Sequence, residues 1–205
     1  MPDSARPDAD LDRLAELARD VIRRAQSRGA SASEVGISVD EGLHVNVRMG
    51  EVESVEYTRD RGLSLTVYVG HRKGSASTAD LNPTAIERTL DQALAIARFT
   101  GEDPANGLAD PALLATEFPD LDLWHPWELD AAAAVELARA CEAAGLAVDP
   151  RIQNSEGASV SRGGGYGVYA NSLGFLGREC GTRHSYSCAL IAEDGEDMQR
   201  DDDYS

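Results

Sequence analysis

The chain has 205 residues, 42% of them hydrophobic, 27% charged and 5% aromatic. That composition excludes wholesale disorder and a fibrous repeat; a chain of this length buries roughly 70% of its unfolded surface, so neither metal nor disulfides are needed to hold it together. Nineteen basic residues against thirty-six acidic ones leave a formal charge of −17, which repels phosphate backbones and anionic bilayers and sets nucleic acid and membrane aside as direct partners.

From Asp10, the run DLDRLAELARDVIRRAQSRG places Leu11, Leu14, Leu17, Ala18, Val21, Ile22 and Ala25 at three- and four-residue steps and ends on Gly29, which predicts an amphipathic helix capped by Asp10. A long stretch of one parity follows: Val35, Ile37, Val39, Leu43, Val45, Val47, Met49, Val55, Tyr57, Leu63, Leu65, Val67 and Val69. Period-two alternation predicts strands with one buried face, broken at Glu41-Gly42, Gly50-Glu51 and TRDRG into an antiparallel meander. Asn82 and Pro83 supply a cap and a first-turn proline for a second helix reaching about Gly101. Residues 102–127 hold four prolines and both tryptophans, as a long ordered loop over apolar surface would. A third helix starts after Asp130 and stops at Gly145.

From Asp149 the sequence is glycine-rich and alternating, and predicts about three strands joined by tight turns. The fold class is therefore α+β, a largely antiparallel sheet with about three amphipathic helices. Residues 1–9 read as disordered, 10–148 as an α+β domain of meander plus helices, and 149–205 as a β segment leading into a further domain. The last thirteen residues carry seven acids and one arginine and stop without a capping signal, as though the chain should continue.

The three cysteines Cys141, Cys180 and Cys188 are an odd number without a CxxC pair, a poor disulfide framework. The acidic, proline-bearing start lacks the features of a secretory leader, and no apolar run approaches membrane-spanning length. Together these point to a cytoplasmic protein.

The chemistry-bearing residues form no complete site. His44, His71, His125 and His184 are scattered, with none of the i, i+4 pairing of a helical zinc motif. Cys180, His184 and Cys188 are spaced by four, but on a strand such positions stand about 13 Å apart, too far to share an ion. Lys73 beside Ser75 reads as a solvated turn rather than a Ser-Lys dyad. Glu51, Glu53 and Glu56 read as the wet side of a hairpin, and Gly163–Gly165, followed by a strand rather than a helix, as a turn or bulge. Trp124 and Trp127 read as pins for the long loop. His184 with its neighbouring serines suggests a Ser-based hydrolase only weakly, since a triad is a matter of geometry. Arg183 and His184 are the candidate contact pair for a carboxylate or a partner chain, given the planar donor fork of arginine.

Several blocks taken together, MGEVESVEY, GLSLTVYVGHRKGSASTADL, PDLDLWHP, RIQNSEGASVS, YANSLGFLGRECGTRHSYSCALIAED and MQRD, resemble the N-terminal half of PmbA-type (TldE-type) members of the TldD/PmbA metallopeptidase family, in order from about residue 10 to the last. The resemblance implies a mixed α/β N-terminal domain followed by a β-rich C-terminal domain absent here. It also implies a role in a cytoplasmic protease that degrades or trims small or unfolded peptides, in which a TldD-type HExxxH subunit forms a heterodimer with the PmbA-type subunit and carries the zinc. No catalytic residue and no metal ligand carries over to this chain, which alone would be inactive. The alternative is a non-catalytic domain that binds peptides or a partner.

Overall fold

The computed structural model describes residues 5–205. Helix α1 spans Asp8–Ser27 and buries Leu11, Leu14, Ala15, Ala18, Val21, Ile22 and Ala25 along one stripe, the stripe that the three- and four-residue spacing dictates. It opens two residues before the expected cap. Pro7 takes the cap position without a side-chain bond, while Asp8 and Asp10 lie in the first turn, where negative charge is favoured. Residues 1–4 of the segment expected to be disordered lie outside the described residues.

Strands β1 (Ala32–Arg48), β2 (Glu51–Val69) and β3 (Arg72–Thr78) form the expected meander, but with longer strands. Two of the three breaks are not there. Glu41-Gly42 is held extended by ladders on both sides, to Arg59-Thr58 of β2 and to Gly164-Gly163 further along the chain. TRDRG pairs continuously with Ser38–Gly42. A ladder overrides the local turn preference of glycine and polar residues because extended backbone pairs N–H and C=O groups with the neighbouring strand, on both sides at Glu41-Gly42 and on one side at TRDRG. Only the turn at Met49-Gly50 survives, with both residues at positive φ.

Helix α2 (Pro83–Phe99) starts as the sequence predicts: Asn82 accepts from the Ala85 amide at 2.8 Å and Pro83 opens the first turn. It ends at Phe99, two residues before Gly101. α2 packs so closely on β3 that a Cβ on Gly74 would stand 2.1 Å from the Ala93 carbonyl oxygen; only glycine fits there. Arg24 of α1 and Arg28, its C-cap, both reach Glu87 of α2, and Arg28 first, then Arg24, hold its carboxyl below the usual range. After a short 3-10 turn at Pro111–Leu113, helix α3 (Ala131–Leu146) begins with Asp130 accepting from Ala133 at 2.8 Å. It runs one residue past Gly145.

β4 (Ile152–Asn171), β5 (Leu176–Asp194) and β6 (Asp197–Tyr204) complete one antiparallel sheet of order β3-β2-β1-β4-β5-β6. β1 and β4 join the two halves of the chain edge to edge. Gly163–Gly165, expected as a turn or bulge, lie in mid-strand in continuous register with partners on both sides. All three helices pack on one face of the sheet, but in two places. α1 and α2 cover Val35, Ile37, Leu63, Leu65, Val67, Val168 and Ala170. α3 covers Leu43, Val45, Val47 and Val160 through Ala134 and Ala138, with Leu129 beside them.

Glu142 continues the small-residue stripe of α3 and is 1% exposed. Its carboxylate accepts from the Met49 amide at 2.8 Å and the Gly50 amide at 2.7 Å, tying α3 to the β1–β2 turn. Removing the acceptor leaves two amides unpaired. Glu142→Ala should therefore cost about 2–4 kcal/mol in chemical denaturation; a loss below about 1 kcal/mol would show that the tie is dispensable.

A second tie crosses three strands. Tyr68 of β2 and Tyr169 of β4 donate to the two oxygens of Glu34 on β1, at 2.9 and 2.7 Å. Burial first, then the bond to Glu34, pushes each phenol up to about 12. Because the folded phenols hold their protons above the unfolded value near 10, this stability is complete below pH 10 and is lost as pH rises from about 10 towards 12. Absorbance titration at 295 nm should show two of the six tyrosines ionising late, and Glu34→Gln should bring both down.

Candidate functional site

The two apolar clusters leave the middle of the sheet face uncovered, and the sequence sets where this happens. On β1 the inward positions run Val35, Ile37, Val39, Glu41, Leu43, Val45, Val47; on β4 they run Ala158, Val160, Arg162, Gly164, Tyr166, Val168, Ala170. Both series lose their apolar character at the centre. The ladders align the interruptions, placing Arg59, Glu41, Gly164 and Thr182 in one row and Leu43, Arg162 and His184 in the next.

Over this row lies a cavity of about 380 Å3. Its floor is Glu41, Gly163 and Gly164. One end is formed by Ala5–Pro7 and the first turn of α1 with Tyr166, the other by Arg162 and His184, and Trp124, Pro126 and Trp127 form the wall. A Cβ on Gly164 would meet the Trp124 ring at 3.3 Å, so the absence of a side chain lets the indole lie close to the strand.

The wall is hung from β5. The Thr182 amide donates to the Leu123 carbonyl at 2.8 Å, the His125 amide donates to Thr182 Oγ1 at 3.1 Å, and Thr182 Oγ1 donates back to the His125 carbonyl at 3.1 Å. Trp124 Nε1 donates to the Ala5 carbonyl at 3.1 Å, and Arg6 reaches Asp120 at 3.0 Å. The long loop is thus ordered, as expected, with the tryptophans as its pins. It also covers the edge of β5 that β6 leaves open beyond Tyr186.

The charges in the cavity are unevenly satisfied. Glu41 pairs with Arg59 at 3.0 Å. Asp10 accepts from Tyr166 at 3.1 Å and pairs with Arg13. Arg162 donates Nε to the Leu129 carbonyl at 2.7 Å, and among the described residues no carboxylate lies within 4.0 Å of its guanidinium.

Of the residues expected to act, Arg183 and His184 are separated: neighbours on a strand point to opposite faces. His184 Nε2 donates to the His125 carbonyl at 2.8 Å, and its ring meets Trp127 edge-on with centroids 5.5 Å apart. Arg183 opposes Gly163 and is exposed. Ser185 pairs with Ser161 at 2.7 Å, and Ser187 with Ser159 at 2.8 Å, both on the face away from His184; no nucleophile–base pair is formed. Lys73 is exposed in β3 opposite Tyr68. Glu51, Glu53 and Glu56 line the exposed half of β2.

Cys180, His184 and Cys188 share one face of β5 at four-residue steps, about 13 Å apart each. Burial, with Cys141 beside it, pushes the Cys188 thiol up to about 11, which opposes a thiolate ligand. Among the described residues no three His, Cys, Asp or Glu side chains converge on one point. The donor set here does not fit a catalytic metal. Sequence reading passed over Arg162, Glu41, Arg59 and Tyr166, yet a charged residue at an inward position of an otherwise apolar strand face was the available signal.

Among solved structures, a Bacteroides thetaiotaomicron protein described as a proposed modulator of DNA gyrase superposes with a TM-score of 0.82 at 28% identity, covering 92% of this chain and 43% of that one. TldE from Thermococcus kodakarensis shares the fold with a TM-score of 0.77 at 15% identity, over 92% of this chain and 42% of that one. The fold is thus that of TldE-like chains. Residues 33–97 match the family described as PmbA/TldA metallopeptidase domain 1, and residues 124–205 its central domain. The chain is 49% identical over 176 residues to the metalloprotease PmbA of Escherichia coli O157:H7, covering 86% of this chain and 39% of that one. It is 42% identical over 184 residues to the PmbA homolog of Haemophilus influenzae, covering 90% of this chain and 41% of the relative. The protein belongs to the PmbA/TldD metallopeptidase family. It spans about two fifths of the length of these curated relatives, and no helix among its described residues is long and apolar enough to cross a membrane.

Thr182→Val should release the loop while leaving the sheet intact. Hydrogen exchange at Leu123–His125 is expected to accelerate at least tenfold, since every contact of Leu123–His125 with the Thr182 hydroxyl is lost. Unchanged protection there would mean the wall is held by its aromatic contacts instead.

Proposed function

We propose that this chain is the N-terminal half of a PmbA-type subunit, free of the metal site itself, that pairs with a TldD-type HExxxH subunit in a cytoplasmic complex. The zinc of that partner would hydrolyse small or unfolded peptides. The observation that carries this reading is the 49% identity, across nearly the whole chain, to a protein named metalloprotease PmbA.

A contact role for this chain has physical support. β3 pairs only with Leu63–Val69 of β2, so among the described residues the edge of β2 from Glu51 to Gly62 has no second partner strand, and Val55 and Tyr57 stand exposed beside it. Open strand edges accept extended chains. Arg183, exposed and outside any ion pair among the described residues, is the proposed contact for a carboxylate of the partner.

Mixed with a TldD-type subunit, the chain carrying its C-terminal domain is expected to support hydrolysis of an unfolded peptide, and a zinc chelator to abolish it. Arg183→Ala should weaken the pairing roughly tenfold, the size of one lost charge-assisted bond. Failure to co-purify with any HExxxH subunit, or hydrolysis indifferent to chelation, would overturn the proposal.

A further inference from the structure

We infer that the cavity on the helix-covered face binds a carboxylate borne by an apolar residue, the C-terminal residue of a peptide, with Arg162 receiving the carboxylate and the Trp124–Trp127 wall receiving the side chain. The choice of a peptide rests on the peptide-handling role proposed above; the choice of a carboxylate rests on Arg162.

Among the described residues, thirteen arginines have a carboxylate within ion-pair distance. Of the others, Arg61, Arg88, Arg98 and Arg183 are exposed and solvated, and only Arg162 is half-buried. A chain with thirty-six acidic residues has no shortage of counter-charges, so a half-buried arginine without one among the described residues is an unmet electrostatic demand. The bond from Nε to Leu129 fixes the plane of the group, and among the described residues its Nη atoms have no hydrogen-bond partner. A guanidinium held by one edge presents the donor fork that matches a carboxylate.

The surroundings narrow the ligand. Glu41 and Asp10 share the cavity, and with the net charge of −17 they oppose a multiply charged anion such as a phosphate ester. A single carboxylate on an otherwise uncharged or zwitterionic body meets no such opposition. The tryptophans and Pro126 offer flat apolar contact. A volume of about 380 Å3 lies at the small end of ligand pockets, suited to one or two residues rather than a folded partner.

Both tryptophans of the chain line the cavity, so intrinsic fluorescence reports on it directly. The probes are Ala-Ala-Leu with a free carboxylate, the same peptide as its C-terminal amide, the amide of Ala-Asp-Ala, and N-acetyl-leucine. Ala-Ala-Leu acid is expected to change the emission saturably, and the C-terminal amide to bind at least tenfold more weakly. Ala-Asp-Ala amide should not compete, and N-acetyl-leucine should bind more weakly than the tripeptide acid. Arg162→Gln should lose the preference for acid over amide.

Equal binding of acid and amide by the unaltered chain, or no binding of either, overturns the inference without reliance on any variant. Competition by Ala-Asp-Ala amide would assign the cavity to acidic side chains, and tighter binding of N-acetyl-leucine to small acids; both overturn the C-terminal assignment. Hydrolysis by the reconstituted pair is read separately: peptides cleaved with no binding here sink this inference alone, and binding here without hydrolysis sinks the peptidase role alone.

Discussion

The helices α1, α2 and α3 are placed by one requirement, the burial of a single face of a six-stranded sheet. β1 and β4 lie side by side at its centre, and their inward residues are apolar at both ends and polar or absent in the middle. Each fully buried Val, Leu or Ile contributes on the order of 1.5–3 kcal/mol, so helices settle where these side chains cluster. α1 and α2 take one end and α3 the other. Glu41, Arg162 and Gly164 offer no such gain, and the face between the helices stays open.

The opening is then shaped by groups that cannot leave it. Gly164 has no side chain to exclude Trp124, and Thr182 ties the loop backbone down on the far side. Arg162 is anchored to Leu129, the residue just before the cap of α3, so the position of its guanidinium depends on the packing of that helix. Glu142 in turn fixes α3 to the β1–β2 turn. The cavity is thus held by the same contacts that hold the fold, which gives it the preorganisation a binding site needs.

The chain belongs to a metallopeptidase family and spans two fifths of the length of its relatives. Its cysteines and His184 are strung along β5 rather than gathered at one point. The half of β2 that has no second partner strand among the described residues, the exposed Arg183 and the cavity differ in kind: an open backbone edge, a surface charge and an enclosed space. They lie on an edge, on the outer face and on the helix-covered face of the sheet.

Local periodicity was enough to determine the parity of β1 and β2, the helical stripes and the caps at Asn82 and Asp130, because those follow from residues within a turn or two of one another. The family was legible as well, through blocks spread along the chain. Where strands end was not: Glu41-Gly42, TRDRG and Gly163–Gly165 have the composition of turns, and only strand pairing, on both sides of Glu41-Gly42 and Gly163–Gly165 and on one side of TRDRG, keeps them extended. The site was hidden for the same reason. Arg162, Glu41 and Trp124 are far apart in sequence, and whether a charge has a counter-charge is decided by register between strands and by the path of a loop, quantities that non-local hydrogen bonding and packing set and that no local pattern contains.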